Sequence, residues 1–160
     1  MHKYITDRLE INPLELSHDS FILELLNTAG WKQFIGDRNI TSVQDAQIYI
    51  HKILNNELAY YWVVSHKEDA QSIGVISFLK RDYLEHWDLG FAFLPQYSGQ
   101  GMAAEAAGCV LKNLQKTHSI ILATVMPSNF NSIKLLEKLG FLFKNSLERD
   151  DLQLLLYSYH

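Results

Sequence analysis

The segment 96–103 reads Gln-Tyr-Ser-Gly-Gln-Gly-Met-Ala and places two glycines, Gly99 and Gly101, between a predicted strand and a predicted helix. Glycines at such a junction let the backbone turn tightly and approach a ligand closely. The unpaired N–H groups of the first helical turn and the positive end of the helix dipole then form an anion site. A plain strand-to-helix turn needs the same glycines, so these two residues support phosphate binding and simple turn geometry about equally.

A dinucleotide-binding fold is another way to use a glycine-rich loop before a helix. That fold requires Gly-x-Gly-x-x-Gly or Ala after a first strand, with an acidic residue about 20 positions further on. Residues 119–125 contain no acid, and the loop follows a predicted run of antiparallel strands instead of opening a βαβ unit. The sequence therefore excludes a dinucleotide as the ligand of this loop.

The elements that must position the loop are short strands and amphipathic helices in one continuous domain, residues 1–160. Helices are predicted to begin at Ser17 and Ser42, both suitable N-caps, and a short aromatic segment, 31–38, lies between them with Gly30 and Gly36 as breakers. Further helices are predicted at 102–115 and 129–139, and strands at 4–11, 60–65, 72–79, 87–94, 120–125, 141–143 and 152–159. This order predicts an α+β fold of three layers, in which helices flank a central mixed, mostly antiparallel sheet.

Composition limits the classes of partner. The chain has 160 residues, 48% of them hydrophobic and 20% charged, which is typical of one globular domain. Its net charge of −4 and its lack of Lys or Arg runs argue against nucleic acid or a membrane as partner. The single cysteine, Cys109, permits no intrachain disulfide, favours a cytoplasmic location and is expected in the core. No histidine pair has metal-site spacing, so no metal is expected.

Two blocks of the sequence resemble a known family. Residues 89–106 resemble the acyl-CoA signature of the GNAT acetyltransferases, whose core Gln/Arg-x-x-Gly-x-Gly/Ala is matched by Gln96, Gly99 and Gly101. Asn129-Phe-Asn-Ser132, with the Glu-Lys-Leu-Gly-Phe run that ends at residue 141, looks like a block of the RimJ/RimL-like branch. Thr6-Asp-Arg-Leu9 and segment 34–38 also look like that branch. The resemblance covers nearly the whole chain and implies a GNAT-like fold.

The resemblance implies acetyl-CoA as co-substrate and assigns residues to it. The coenzyme would be held by Gln96, Ser98, Gly99, Gln100, Gly101, Met102, Ala103 and Asn129, and its pantetheine would pair with the strand edge at Phe91 and Phe93. Where this family often has basic residues, the loop has Ser98 and Gln100. We therefore expect backbone amides and the Ser98 hydroxyl to hold the pyrophosphate, with little dependence on salt.

The implied reaction is transfer of an acetyl group to a primary amine by direct attack in a ternary complex. Asp88 is the first choice for the base and Glu85 the second, and a strand carboxylate satisfied by a neighbour is an equally supported interpretation of Asp88. Because Leu136 stands where many relatives have a tyrosine, Ser132 is the expected acid. Asn129 and Ser132 are also residue types favoured at helix starts.

The acceptor side and the acceptor are less defined. Trp31, Phe34 and Arg38 are expected at the acceptor end of the cleft, with core aromatics and a surface ion pair as the alternative. The acceptor would be a protein N-terminal amine or a small amine, and the acidic balance weakly favours a cationic one. A homodimer is one assembly implied by the resemblance. The rival functions are a non-catalytic acyl-CoA-binding regulatory or sensor domain and a structural subunit of a larger assembly.

Overall fold

The computed structural model describes all residues, 1–160, and its eight strands form one mixed sheet in the order β1-β2-β3-β4-β5-β6-β8-β7. The strands are β1 Tyr4–Ile5, β2 Leu9–Pro13, β3 Ala59–His66, β4 Ser72–Leu79, β5 Asp88–Phe93, β6 Ile121–Val125, β7 Leu142–Arg149 and β8 Leu152–Tyr159. Every neighbouring pair is antiparallel except β5 and β6, which are parallel. The predicted mixed, mostly antiparallel sheet is confirmed.

Five helices cover the two faces of the sheet. They are α1 Asp19–Leu26, α2 Ala29–Phe34, α3 Val43–Leu54, α4 Met102–Leu114 and α5 Phe130–Leu139. Buried side chains of α1–α3 pack with Val63, Val75 and Leu94 on one face, and those of α4 and α5 pack with the opposite face. Alternation of side chains along each strand allows both faces to be apolar, and this produces the three layers that the sequence predicts.

The predicted first strand, residues 4–11, is instead two strands joined by a turn. Thr6 causes the break, because its N–H donates to the Leu9 carbonyl at 2.9 Å and its hydroxyl accepts from the Leu9 N–H at 3.1 Å. The chain reverses there, and β1 pairs with β2 with Tyr4 opposite Ile11. As a result Arg8 lies in a turn.

The helix starts also differ in part from expectation. Ser17 is not an N-cap, because it lies inside a 3₁₀ turn at Leu16–His18 that precedes α1. Gly30 does not break the chain either; it lies in α2, which is capped by the Thr28 side chain accepting from the Trp31 N–H. Ser42 is the N-cap of α3, as the sequence predicts, and it forms a capping box with Asp45.

The closing strands form a longer hairpin than the short apolar segment 141–143 predicts. β7 pairs along its length with β8, and the polar residues of β7 sit on its exposed faces. A strand at the edge of a sheet needs few buried side chains, and so its apolar pattern is weak. None of the helices has the length and apolar character that crossing a membrane requires.

Candidate active site

A cleft opens in the middle of the sheet where β5 and β6 separate. The two strands are in register only at Asp88 and Leu122, and the Leu122 N–H donates to the Trp87 carbonyl at 2.8 Å. Beyond that point β5 continues against β4, whereas β6 continues against β8. The cavity along this gap has a volume of ≈ 300 Å³ and is lined by both strands, by α5 and by the α2–α3 region.

The edge of β5 that faces the gap carries free backbone groups. The Leu94 N–H donates to the Ile73 carbonyl at 2.8 Å, so Phe93 and Gly74 form a non-hydrogen-bonded pair of the antiparallel β4–β5 ladder. By the alternation of that ladder, the N–H and C=O groups of Phe91 and Phe93 point away from β4 and toward the gap. The Phe91 side chain lines the cleft, but the Phe93 ring packs over Gly74, so Phe93 can offer a ligand only its backbone.

At the end of β5 the glycine loop presents unpaired N–H groups. Gly99 and Gly101 have φ angles of +73° and +77°, the left-handed region, which costs other residues about 1–2 kcal/mol. Gly101 is the N-cap of α4 and has no side chain to cap the helix. The backbone N–H groups from Gly99 to Ala104 therefore donate to no other group of the protein. Such a row of donors at a helix N-terminus matches the oxygens of a phosphate.

The side chains of the loop contribute less than its backbone. The Gln100 amide donates to the Gln96 carbonyl at 3.2 Å and so braces the loop internally. The side chains of Gln96 and Ser98 are exposed and make no hydrogen bond within the protein. The Met102 side chain is only 2% exposed and belongs to the core, so Met102 can contact a ligand only through its backbone N–H.

A guanidinium from a distant part of the sequence reaches the loop. Arg8 donates through Nη1 to the Gln100 carbonyl at 2.8 Å and through Nε to Glu105 Oε2 at 2.7 Å. Glu105 Oε1 also accepts from the Arg8 N–H at 2.9 Å and from the Thr6 hydroxyl at 2.6 Å. Burial favours a raised pKa for Glu105, but these hydrogen bonds hold that pKa below its usual value. We call Thr6, Arg8 and Glu105 the loop bracket.

The loop bracket places a cation beside a loop that has no basic residue of its own. The charge of Arg8 is offset by Glu105, so the bracket braces the loop without giving it a large positive field. Sequence reasoning matched Thr6-Asp-Arg-Leu9 to a family pattern and gave Arg8 no role. In the sequence, Arg8 is only an arginine in a polar segment between two short strands. Its partner Glu105 is 97 positions away, so only the fold shows the contact.

Asp88 lies at the point where the two strands separate and is 3% exposed. Its Oδ2 accepts from Arg81 Nε at 3.0 Å, and its Oδ1 accepts from the Thr124 N–H at 3.1 Å, so the carboxylate joins β5 to β6. Burial raises its pKa to about 6, against the opposing effects of Arg81 and Thr124. A carboxylate with this pKa is ionised at neutral pH and still basic enough to accept a proton.

Glu85, the second choice for the base, is not part of the cleft. It is exposed in the connection between β4 and β5, and only its backbone carbonyl is engaged, by Lys80 Nζ at 3.1 Å. The turn directs this residue to solvent, so it cannot reach a substrate that lies beside Asp88.

Asn129 and Ser132 stand at the start of α5, and both line the cleft. The Asn129 side chain accepts from the Ser132 N–H at 3.3 Å and caps the helix, so the structural interpretation of Asn129 is realised. Its amide nitrogen and the Ser132 hydroxyl have no partner in the protein, which leaves both available to a ligand. Leu136, buried on the same helix, also lines the cleft.

The other end of the cleft lies under the α2–α3 region, where Trp31, Phe34 and Arg38 line the same cavity as Asp88. The opposing sheet surface includes the small residues Ser77, Gly90 and Ala92, and a Cβ on Gly90 would lie only 2.6 Å from Ser77 Oγ. These small residues leave a hollow between the sheet and α2. We call this hollow the acceptor end, and the glycine-loop side the donor end.

Sequence reasoning missed several polar residues of the acceptor end. Tyr49 and Tyr61 are partly buried there, and desolvation raises the pKa of both phenols. Arg81 and Arg149 complete the rim, and the Arg149 guanidinium lies 4.5 Å from the centroid of the Tyr83 ring. These residues come from separate strands and helices and carry no motif, so the sequence offered no signal for them. No group of three His, Cys, Asp or Glu side chains is arranged to hold a metal.

Comparison with known proteins identifies the family. Residues 8–142 match the model of the acetyltransferase (GNAT) domain, and the chain therefore belongs to the GNAT acetyltransferase family. The predicted family and the prediction of an acetyltransferase are confirmed.

Individual relatives agree with this assignment. An uncharacterized N-acetyltransferase, YnaD of Bacillus subtilis (strain 168), is 28% identical over 137 residues, which cover 84% of this chain and 79% of that protein. RimL, a ribosomal L7/L12 alpha-N-protein acetyltransferase in complex with coenzyme A, superposes with a TM-score of 0.85 at 14% identity over 99% of this chain and 97% of that one. A Vibrio cholerae spermidine N-acetyltransferase in complex with CoA and spermine gives 0.80 at 16%, covering 96% of each chain. The structural matches confirm the predicted GNAT-like fold.

Proposed function

We propose that this protein transfers an acetyl group from acetyl-CoA to the primary amine of a protein N-terminus or a small molecule, with both substrates bound together. The observation that supports this most is the position of one buried carboxylate, Asp88, in a cleft beside β5, the strand that leads into a loop of free N–H groups. A donor held by the loop and an amine beside Asp88 would meet where β5 and β6 separate. Direct attack requires this proximity.

The donor end fits coenzyme A on two counts. The free N–H groups from Gly99 to Ala104 can donate to pyrophosphate oxygens, and the open edge of β5 at Phe91 and Phe93 can pair with the amides of pantetheine. Acetyl-CoA, when bound, supplies the activated thioester. RimL and the spermidine N-acetyltransferase were both solved with the coenzyme, which is consistent with this assignment.

The chain's own residues divide the proton transfers between them. Asp88 would accept the proton of the amine nitrogen, directly or through water, and Arg81 keeps the carboxylate ionised by its charge. A backbone N–H of the β5 edge would donate to the thioester oxygen as charge builds there. The Ser132 hydroxyl at the start of α5 would give a proton to the departing sulfur and would regain one from water.

The experiment that tests this proposal has two stages. Thermal shift with coenzyme A is followed by mass-spectrometric detection of acetylated product from a panel of peptides and small amines. We expect a higher Tm with the coenzyme and an acetyl-dependent mass increase on at least one amine. Binding without any product would favour the sensor alternative, to which the engagement of Asp88 by Arg81 and Thr124 lends some support. No thermal shift would favour a structural subunit.

We also infer that the protein is cytoplasmic and that it forms a homodimer. The outer edge of β7 has no strand partner, and it carries Leu142 and Phe143, which are 70% and 56% exposed. A second copy could cover such an edge. Light scattering should give twice the mass of one chain, and Phe143→Lys should lower it to that of a monomer. A monomeric parent protein would contradict the inference.

A further inference from the structure

The acceptor end differs in charge from the protein as a whole. The chain carries a net charge of −4, yet the charged residues lining the cleft are three arginines, Arg38, Arg81 and Arg149, and two aspartates, Asp88 and Asp150. Three positive and two negative groups leave a local charge of +1, with no Glu, Lys or His in the lining. A field of this sign favours an acceptor that carries negative charge.

The three arginines are not equally engaged. Arg81 is paired with the buried carboxylate of Asp88, and Arg149 lies 3.7 Å from Asp150 and 3.4 Å from Asp82. Arg38, by contrast, forms no salt bridge, although it lines the cleft together with Trp31 and Tyr49. Its guanidinium therefore offers hydrogen-bond donors and a charge that no protein carboxylate compensates.

A buried donor without a partner lies at the same end of the cleft. Trp31 is 6% exposed, and its Nε1 is buried without a hydrogen-bond partner, the only such side-chain atom in the protein. Buried donors without partners are uncommon, since each costs about 1–3 kcal/mol. The indole N–H has no partner, and the exposed Arg38 guanidinium, which is hydrogen-bonded to Tyr49, carries a charge that no carboxylate offsets. Both groups are donors, so a ligand that uses them brings acceptor oxygens.

We propose, building on the proposed acetyltransferase function, that the acceptor is a primary amine that carries a carboxylate in the same molecule. The amine lies toward Asp88, and the carboxylate lies toward Arg38 and Trp31. Phe34, Tyr49 and Tyr61 provide an apolar wall between those two points. A polycation suits this end poorly, because the buried carboxylate of Asp88 is already held by Arg81 and Asp150 is paired with Arg149.

The test uses pairs of acceptors that differ only in the carboxylate. Phenylalanine is compared with phenylalaninamide, and amidated dipeptides Ala-Glu and Ala-Gln form a second pair; spermidine serves as the polycation. We expect at least about tenfold higher kcat/KM for the carboxylate member of one pair, as a charge-assisted hydrogen bond would give. Preference within the first pair identifies a free amino acid as the source, and preference within the second identifies an acidic peptide.

Variants assign the preference to residues. Arg38→Met should lower kcat/KM for the carboxylate acceptor about 10- to 100-fold and leave its amide partner nearly unchanged, because only the carboxylate uses the guanidinium. Trp31→Phe removes the N–H but keeps a ring and should reduce the same preference several-fold. Arg38→Lys should retain part of it. Lys52→Met, an exposed α3 residue outside the cleft, removes the same charge elsewhere and should change neither acceptor.

Failure of this inference is separable from failure of the proposed function. Equal use of both members of each pair, or preference for spermidine, overturns the carboxylate proposal while acetyl transfer stands. If no acceptor is acetylated, calorimetry of phenylalanine and phenylalaninamide binding to the protein–CoA complex decides instead. Carboxylate-dependent binding that Arg38→Met abolishes supports the proposal, and absence of such binding overturns it. Absence of coenzyme binding contradicts the proposed function itself.

Discussion

The donor end and the acceptor end of the cleft are built from different parts of the chain. The donor end uses one continuous stretch, 91–104, and its contribution is mainly backbone: the β5 edge and the N–H groups of the loop. The acceptor end uses side chains from α2, α3 and several strands. A site made of backbone groups depends on the few residues that permit its conformation. A site made of side chains can change one residue at a time, so the same fold can accept different amines.

The largest expected effect concerns the one residue that belongs to both ends. Asp88→Asn should lower kcat/KM about 10²- to 10⁴-fold, because the amide cannot take a proton from the amine. Coenzyme affinity, measured by calorimetry, should stay within a few-fold, because the oxygen of the new amide can still accept from the Thr124 N–H. Turnover close to that of the parent protein would show that the carboxylate only joins the strands.

The pH dependence of activity also distinguishes a catalytic base at Asp88 from a carboxylate that only joins the strands. The pKa of Asp88 is raised by burial to about 6, and a base acts only in its ionised form. Activity should therefore fall about tenfold per pH unit below that pKa and level off above it. Arg81→Met removes the cation that favours ionisation, so the same limb should move to higher pH. A profile without this acidic limb would argue that the amine is attacked without help from Asp88.

Gly101→Ala tests whether the backbone of the glycine loop forms the donor end. A side chain at φ +77° costs about 1–2 kcal/mol, so coenzyme affinity should fall about 5- to 30-fold as the loop relaxes. The KM for the acceptor should not change. Gly30→Ala is the matched control, since a Cβ there meets nothing within 4 Å and the residue lies in a helix. It should raise stability by about 1 kcal/mol and leave coenzyme binding alone. Unchanged affinity in Gly101→Ala would remove the loop from the donor site.

Ser132→Ala asks whether a side chain contributes at the donor end. The substitution keeps the backbone N–H that Asn129 caps, so Tm should not move, whereas kcat should fall up to about tenfold if the hydroxyl protonates sulfur. Asn129→Ala is the contrasting variant, and loss of the cap should cost about 1 kcal/mol of stability. Unchanged turnover in Ser132→Ala would exclude the hydroxyl as the acid.

The smallest effect is expected at the loop bracket. Arg8→Met removes the donor to the Gln100 carbonyl, and coenzyme affinity should fall about 3- to 10-fold by calorimetry. The double variant Arg8→Met/Glu105→Gln should recover Tm, because no unpaired carboxylate remains, but it should not recover affinity. Lower Tm with unchanged affinity would show that the bracket stabilises the fold and does not shape the loop.

Much of the donor end could be predicted from the sequence alone. The glycines that adopt left-handed conformations lie next to the start of a helix. Such local backbone geometry depends mainly on neighbouring residues, so it can be predicted from a short stretch of sequence. The strand-to-helix order likewise determined the layers, because hydrophobic periodicity depends on residues a few positions apart. The same locality explains the errors. The turn at Thr6 and the short helix α2 depend on single side-chain hydrogen bonds that leave the apolar pattern unchanged.

Only the tertiary structure decided what surrounds the reacting atoms. The fold brings together residues that no sequence motif connects. It pairs Arg8 with Glu105, and it pairs Asp88 with Arg81 and with the Thr124 N–H. The pKa of Asp88 follows from burial, which is a property of the packed protein and not of the residue. The sequence could place Arg38 and Trp31 at the acceptor end, but only the structure shows that the Trp31 indole N–H is buried without a partner and that Arg38 has no carboxylate beside it.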